Sequence, residues 1–457
     1  MSSAIKVIKT TPYADQKPGT SGLRKKVKIF KQKYYVENFV QSCFNAISSE
    51  IKQGGTFVVG GDGRFLMMEV LHKIISVGAA ANVKKFIIGV NGLLSTPCVS
   101  GLIRKFKADG GFVLTASHNP GGESKDFGIK YNCSNGGPAL ECLTDKIYQF
   151  SKSITEFKWV ELPTLDLHKP TTFSLFADCL VQVVDGVSLY SELMKEIFNF
   201  TSISKLLQEK NFKIKIDCMN GVTGPFAKNI FINELEAPED SVINFTPLPD
   251  FGGLHPDPNL TYAKNLVDLM AHGKHDFGAA FDGDGDRNMI LGRDVFVNPS
   301  DSVAIIAANY ACIPHFRAGL KGVARSMPTS GALDSVARKF GINLFETPTG
   351  WKYFVNLMEA GRLSICGEES FGQGSDHVRE KDGIWAVLAW LSIIASTKKA
   401  VKTIIEDHWR EYGRNFFTRY DYEEVSEKAA NDLMQHLRKK IGMFVVANTN
   451  WKQLLLL

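Results

Sequence analysis

Phe112-Val113-Leu114-Thr115-Ala116-Ser117-His118-Asn119-Pro120 is the stretch on which the fold turns. An apolar run of strand-forming residues ends in a polar segment that Asn-Pro closes as a turn. The same plan occurs twice more. Phe277-Gly278-Ala279-Ala280 leads into Asp282-Gly283-Asp284-Gly285-Asp286-Arg287, and Leu363-Ser364-Ile365 leads into Cys366-Gly367-Glu368-Glu369-Ser370. Ligands in α/β sheets bind beyond the carboxyl ends of strands, so these three loops are the places to look for chemistry.

Working outward, Phe57-Val58-Val59, Phe86-Ile87-Ile88 and Ile214-Lys215-Ile216 also read as strands. Residues 65–80, 98–107, 262–272, 330–340 and 351–360 carry spacings that suit amphipathic helices. Strands alternating with helices predict an α/β chain with mixed, largely parallel sheets. The recurring strand–loop–helix plan predicts related α/β domains, each giving one loop to a shared cleft. At 457 residues and about 150 residues per domain, roughly three domains are expected. The stretch 151–182 reads as a connector before a helix near 186–200, Ser300 as a helix N-cap, and 424–441 as a last helix.

Composition excludes several classes. Hydrophobic content of 44% and charged content of 22% are those of a globular protein. A net charge of +5 is mild for this length; it requires no nucleic acid and suits a small anionic substrate. The eight cysteines form no C-x-x-C pair, which argues against zinc and a disulfide framework and for a reducing compartment. No run approaches the ~18 apolar residues of a membrane span, and the N-terminus lacks an apolar signal core.

Ser117 is a poor nucleophile unless a base, a metal or a strained turn activates it. Alone, Ser-His-Asn-Pro reads best as a polar turn, and it is not the G-x-S-x-G of a hydrolase elbow. Asp282, Asp284 and Asp286 are more telling. Alternate residues of an extended loop point to one side, and the intervening glycines let the backbone wrap a cation. Such carboxylates repel by about a few kcal/mol per pair without one. Three of them suit a small oxygen-seeking ion, Mg²⁺ above all. A calcium EF-hand fails, because Arg287 stands where glycine is required and position 293 is Arg293. Together the two loops suggest a metal-bound phosphoserine, with Arg287 adding a forked contact to the phosphoryl group.

The loops TASHNPGG, DGDGDR and GEES, in this order, resemble the signature loops of the α-D-phosphohexomutase superfamily, most of all its eukaryotic-type phosphoglucomutase branch, over about residues 10–425. Lys17–Arg24, His255–Asn259, Pro348–Lys352 and Gly374–Gly383 support the likeness. The resemblance implies three consecutive α/β domains around the cleft: 1–190 bearing the phosphoserine, 191–296 the metal and 297–413 the sugar site, with 414–457 as the remnant of a C-terminal phosphate-binding domain. It implies Ser117 as phosphoryl carrier. It implies Asp282, Asp284, Asp286 and the Ser117 phosphate as magnesium ligands, and His118 and Lys130 as aids to proton transfer. Arg287, Glu368, Ser370, Thr349, Gly350, Arg24 and Lys381 follow as substrate contacts. The implied reaction interconverts glucose 1-phosphate and glucose 6-phosphate through glucose 1,6-bisphosphate, in a cytoplasmic monomer that needs no nucleic acid and no membrane. GEES disfavours mannose or N-acetylglucosamine phosphate. Outside the likeness, Lys130 reads as an exposed strand residue, Arg24-Lys25-Lys26 as a solvated edge, and Glu368-Glu369 as the acidic start of a helix.

One feature departs from the family. Its C-terminal domain carries a loop of Arg, Ser, Gly and Thr that grips the phosphate not being transferred, and nothing after Tyr420 supplies one. The fourth domain therefore reads as truncated. Two or three lost charged hydrogen bonds at roughly 1.5–3 kcal/mol each amount to several powers of ten in turnover efficiency. A weakly active or non-catalytic isoform, acting as scaffold or regulator, is the alternative.

Overall fold

The structure is a computed structural model and describes residues 4–47, 54–422 and 425–440; the tail 441–457 lies outside them. Three mixed sheets follow one another along the chain. The first holds β1 (Leu23–Lys26), β2 (Thr56–Gly61), β3 (Lys85–Leu93), β4 (Gly110–Leu114), β5 (Asp126–Cys133), β6 (Thr171–Ser174) and β7 (Leu180–Val184), in the order β1-β5-β4-β2-β3-β7-β6. Its centre is parallel, and β5 joins β4 antiparallel. Val58, Ile87 and Val113 face one core, while Phe57, Val59, Phe86, Ile88, Phe112 and Leu114 face another. That alternation is the two-residue period of strands covered on both sides.

The second sheet holds β8 (Ile214–Asp217), β9 (Val242–Ile243), β10 (Phe277–Phe281), β11 (Asn288–Gly292) and β12 (Val295–Val297), in the order β9-β8-β10-β11-β12. The third holds β13 (Val323–Ser326), β14 (Leu344–Thr347), β15 (Ile365–Gly367) and β16 (Gln373–Ser375), in the order β14-β13-β15-β16. Strands β4, β10 and β15 each run parallel to one neighbour and end at one of the three loops. Helix Gly383–Thr397 is buried over almost its whole length and packs in a core that also takes residues from all three sheets. A helix apolar on every side belongs in such an interior. Among the described residues no single helix is long and apolar enough to cross a membrane.

Three expectations need correction. The stretch 151–182 is not a plain connector: Thr171–Ser174 and Leu180–Val184 extend the first sheet, and Glu156–Trp159 pairs with Lys6–Lys9. Val181 and Val183 bury their side chains. The strand read at Leu363–Ile365 is Ile365–Gly367. Leu363 is apolar because it packs with Trp351 and Phe354, ahead of the ladder. Helix Pro299–Ala308 is capped by Asn298, whose side chain accepts from the Ser300 amide at 2.9 Å. Proline at the first helical position, Pro299, puts the cap at Asn298, two residues before the expected Ser300; Ser300 sits inside the first turn and accepts from the Ser330 amide.

His408, on helix Val401–Tyr412, is buried with neither ring nitrogen hydrogen-bonded. Burial lowers its pKa from 6.5 to about 4. The unfolded chain gains a proton at the higher value and the folded chain only at the lower, so this stability is intact above the unfolded pKa and drains away as pH falls towards the folded one. Chemical unfolding between about pH 7 and 4.5 is expected to lose about 2–3 kcal/mol from this ring. A His408→Leu variant should show a correspondingly shallower slope.

Candidate active site

β4 delivers Ser117 three residues past its end. Ser117 is buried, with a left-handed backbone of φ 55°. The Ser117 amide donates to Thr115 Oγ1 at 2.7 Å, and Thr115 Oγ1 donates to Asp62 Oδ2 at 2.6 Å. Arg64 pairs with Asp62 at 2.8 Å and donates to the Ser117 carbonyl at 2.8 Å. Asp62 and Arg64 are both fully buried. This frame over-determines the strained serine, as such positions require. Sequence reasoning missed it; the one available signal is the charged pair in Gly60-Gly61-Asp62-Gly63-Arg64, straight after an apolar strand.

Ser117 Oγ donates to Asp282 Oδ2 at 2.8 Å. Asp282 follows β10, so the hydroxyl and the acidic loop meet across two sheets. Gly283 permits the meeting: a Cβ there would lie 2.8 Å from the Ser117 carbonyl oxygen and 3.0 Å from the Phe251 ring. One carboxylate oxygen from each of Asp282, Asp284 and Asp286 lies within 4.8 Å of the others, and all three residues are buried. Thr96 donates to Asp284 Oδ2 at 2.7 Å, and the Arg287 amide donates to Asp282 Oδ1 at 3.0 Å. Asp284 Oδ1 and Asp286 Oδ1 are enclosed without a hydrogen-bond partner. Burial and the neighbouring carboxylates push Asp282 well above its usual pKa and raise Asp284. Burial also opposes ionisation of Asp286, yet Lys381, Arg287 and Lys130 outweigh it and hold that group below its usual value. An all-oxygen set with unsatisfied buried lone pairs fits a hard divalent cation.

The remaining expected residues converge on the same cleft. Arg24, Ser117, Lys130, Asp284, Asp286 and Arg287 line it, and so do Thr349, Gly350, Glu368, Ser370 and Lys381. His118 lies just behind, its Nδ1 3.4 Å from Ser117 Oγ. Loss of water around that ring, then the Arg287, Arg24 and Lys381 cations, push its pKa well below the usual imidazole value. Lys381 stands 3.6 Å from both Asp286 and Glu368. Asp286 and Glu368 raise its pKa against the opposing effect of burial. Glu368 lies in the loop after β15, just ahead of a turn and not at a helix start, and its Oε1 accepts from the Gly350 amide at 3.4 Å. Lys130 is buried rather than exposed on its strand, paired with Glu380 at 2.5 Å. Arg24 is only partly exposed, and its Nε is enclosed. A separate cavity lined by Cys98, Leu102, Arg104, Leu189 and His377 contains none of these residues.

A hydroxyl aimed at a carboxylate cluster that could hold a cation, in a cleft walled by Arg and Lys, has the donors and charges that phosphoryl transfer needs. The chain belongs to the phosphoglucomutase/phosphomannomutase family. The family's α/β/α domains I, II and III match residues 15–158, 188–294 and 299–412. The C-terminal domain of phosphoglucomutase-1 matches 414–454. The chain is 57% identical to phosphoglucomutase-1 of Bos taurus over 447 residues, 96% of this chain and 80% of that protein. It is 55% identical to a phosphoglucomutase of Populus tremula named as cytoplasmic, over 94% of this chain and 79% of that protein. The crystal structure of pp63/parafusin, a Paramecium phosphoglucomutase in its open form, superposes with a TM-score of 0.91 at 49% identity, covering 96% of this chain and 82% of that one.

Asp62→Ala leaves the Arg64 guanidinium buried without its partner. It is expected to destabilise the folded state by about 3–5 kcal/mol, read as a fall in the unfolding midpoint.

Proposed function

We propose that Ser117, carried as a phosphoserine, exchanges its phosphoryl group with a hexose phosphate in this cleft. The chain interconverts glucose 1-phosphate and glucose 6-phosphate through glucose 1,6-bisphosphate, in the cytoplasm. The observation that carries this reading is the contact of Ser117 Oγ with Asp282 at 2.8 Å, which puts the carrier hydroxyl at the edge of the acidic cluster.

Asp282, Asp284 and Asp286 would hold the divalent ion, Mg²⁺, together with a phosphoseryl oxygen. When bound, it neutralises charge on the phosphoryl oxygens during transfer. In the forward step the bond from Ser117 Oγ to phosphorus breaks while a sugar hydroxyl forms a new one to the same phosphorus. The hydroxyl proton needs an acceptor close by. His118, held neutral by its surroundings, suits that role, and Lys130 assists it. Arg24, Arg287 and Lys381 supply positive charge for the substrate phosphates, and Arg287 offers a planar fork to one of them. Glu368 and Ser370 can hold two ring hydroxyls, with Thr349 and Gly350 closing the opposite wall. Gly350 has φ 132°, in the region reserved for glycine, so its amide faces the sugar loop at no steric cost. The reverse transfer uses the same groups on the second phosphate once the bisphosphate has turned over.

Ser117→Ala is expected to take up no label from glucose 1,6-bisphosphate and to lose measurable mutase activity. Label on another residue of that variant would overturn the carrier assignment. Asp284→Asn removes one anionic oxygen donor. It is expected to weaken Mg²⁺ binding about 10–100-fold by titration calorimetry while the unfolding midpoint is maintained or raised, because one buried like charge is gone.

A further inference from the structure

We propose that Glu380 is a positioning residue for phosphoryl transfer: it clamps the Lys130 ammonium group in place and keeps it off the acidic cluster. The inference rests on the reading of Lys130 as a participant in proton transfer. Lys130 leaves β5 of the first sheet and reaches Glu380, which follows β16 of the third, at 2.5 Å. Asn132, two residues along β5 and so on the same face, donates to the same oxygen, Oε1, at 2.8 Å. Asn132 is fixed in turn by a 2.9 Å bond to the Gly136 carbonyl. The Lys130 and Glu380 side chains are 8% and 1% exposed, and both residues line the cleft.

The neighbours of Glu380 show why it can act as an anchor. The Arg379 amide is held by Ser100 Oγ at 2.9 Å and its guanidinium by Glu359 at 2.5 Å. Lys381 faces Asp286 and Glu368. Asp382 takes hydrogen bonds from Tyr190 and from the Trp385 amide. The backbone on both sides is therefore pinned, and Glu380 has little freedom to follow its partner. Lysine is the opposite case, a point charge on a flexible four-carbon stem. Its competing attraction is the buried carboxylate cluster, whose Asp286 lines the same cleft as Lys130. Without the Glu380 carboxylate, Lys130 is free to swing towards the cation-binding loop, away from the reacting hydroxyl. A group displaced by about 1 Å can cost two powers of ten in rate.

The test is steady-state kinetics on the full chain carrying Lys130→Met, Glu380→Gln, or both. Glu380→Gln keeps the shape and an acceptor oxygen but removes the charge. The expected result is a fall in kcat of about 10–100-fold with KM for the sugar phosphate within about twofold of the unsubstituted chain. The double variant should be no slower than Lys130→Met alone, because Glu380 acts only through Lys130. Multiplying losses in the double variant, or a Glu380→Gln chain with unchanged kcat, overturns the positioning role while leaving the assignment of Lys130 standing. An unimpaired Lys130→Met chain overturns both. If Glu380→Gln does not fold, Asn132→Ala takes its place in the cycle. It should lower kcat several-fold in the presence of Lys130 and not in its absence, and any other pattern overturns the inference.

Discussion

Three carboxylates held within 4.8 Å of one another in a buried loop set the terms for everything around them. Their mutual repulsion would be prohibitive in a dry interior without compensation. Arg287 comes from the acidic loop itself, Arg24 and Lys130 from the first sheet, and Lys381 from the third unit. The charge balance of the second unit's loop is thus distributed over its neighbours. It is also uneven. Asp282 and Asp284 are pushed towards protonation, while Asp286, nearest to Lys381, is held ionised.

The serine is presented to that cluster by a frame of a different kind. The Asp62–Arg64–Thr115 network holds its backbone rather than its hydroxyl. The hydroxyl keeps its own direction, towards Asp282. This division suits the carrier role proposed for Ser117, because the backbone geometry need not change whether or not the hydroxyl is loaded.

Much of this was legible in the sequence where a motif carries its own physics. Ser117, the aspartate series and Glu368 follow apolar strands in loops short enough to be read locally, and Arg287 adjoins one. The alternation of strand and helix likewise announced the α/β layers. The missed residues depend on partners far away in the chain. Arg64 and Ser117 are 53 positions apart, and Lys130 and Glu380 are 250. In Phe127-Gly128-Ile129-Lys130-Tyr131 the pattern of an exposed lysine and that of a buried, paired one are identical. The errors at β15 and at the Asn298 cap were of register. Leu363 owes its apolarity to packing, and Pro299 moved the cap upstream.

Helix Gly383–Thr397 has a consequence for how this chain can be divided. Its side chains share one continuous core with residues from all three sheets, and its first amide donates to the Gly285 carbonyl of the acidic loop. A cut between the sheets would bare that helix and loosen the loop it supports. The three sheets look like interchangeable modules, yet excising any one of them would bare part of a core it shares with the other two. Recombination between relatives would have to import the whole ensemble, or redesign a core that spans every boundary at once.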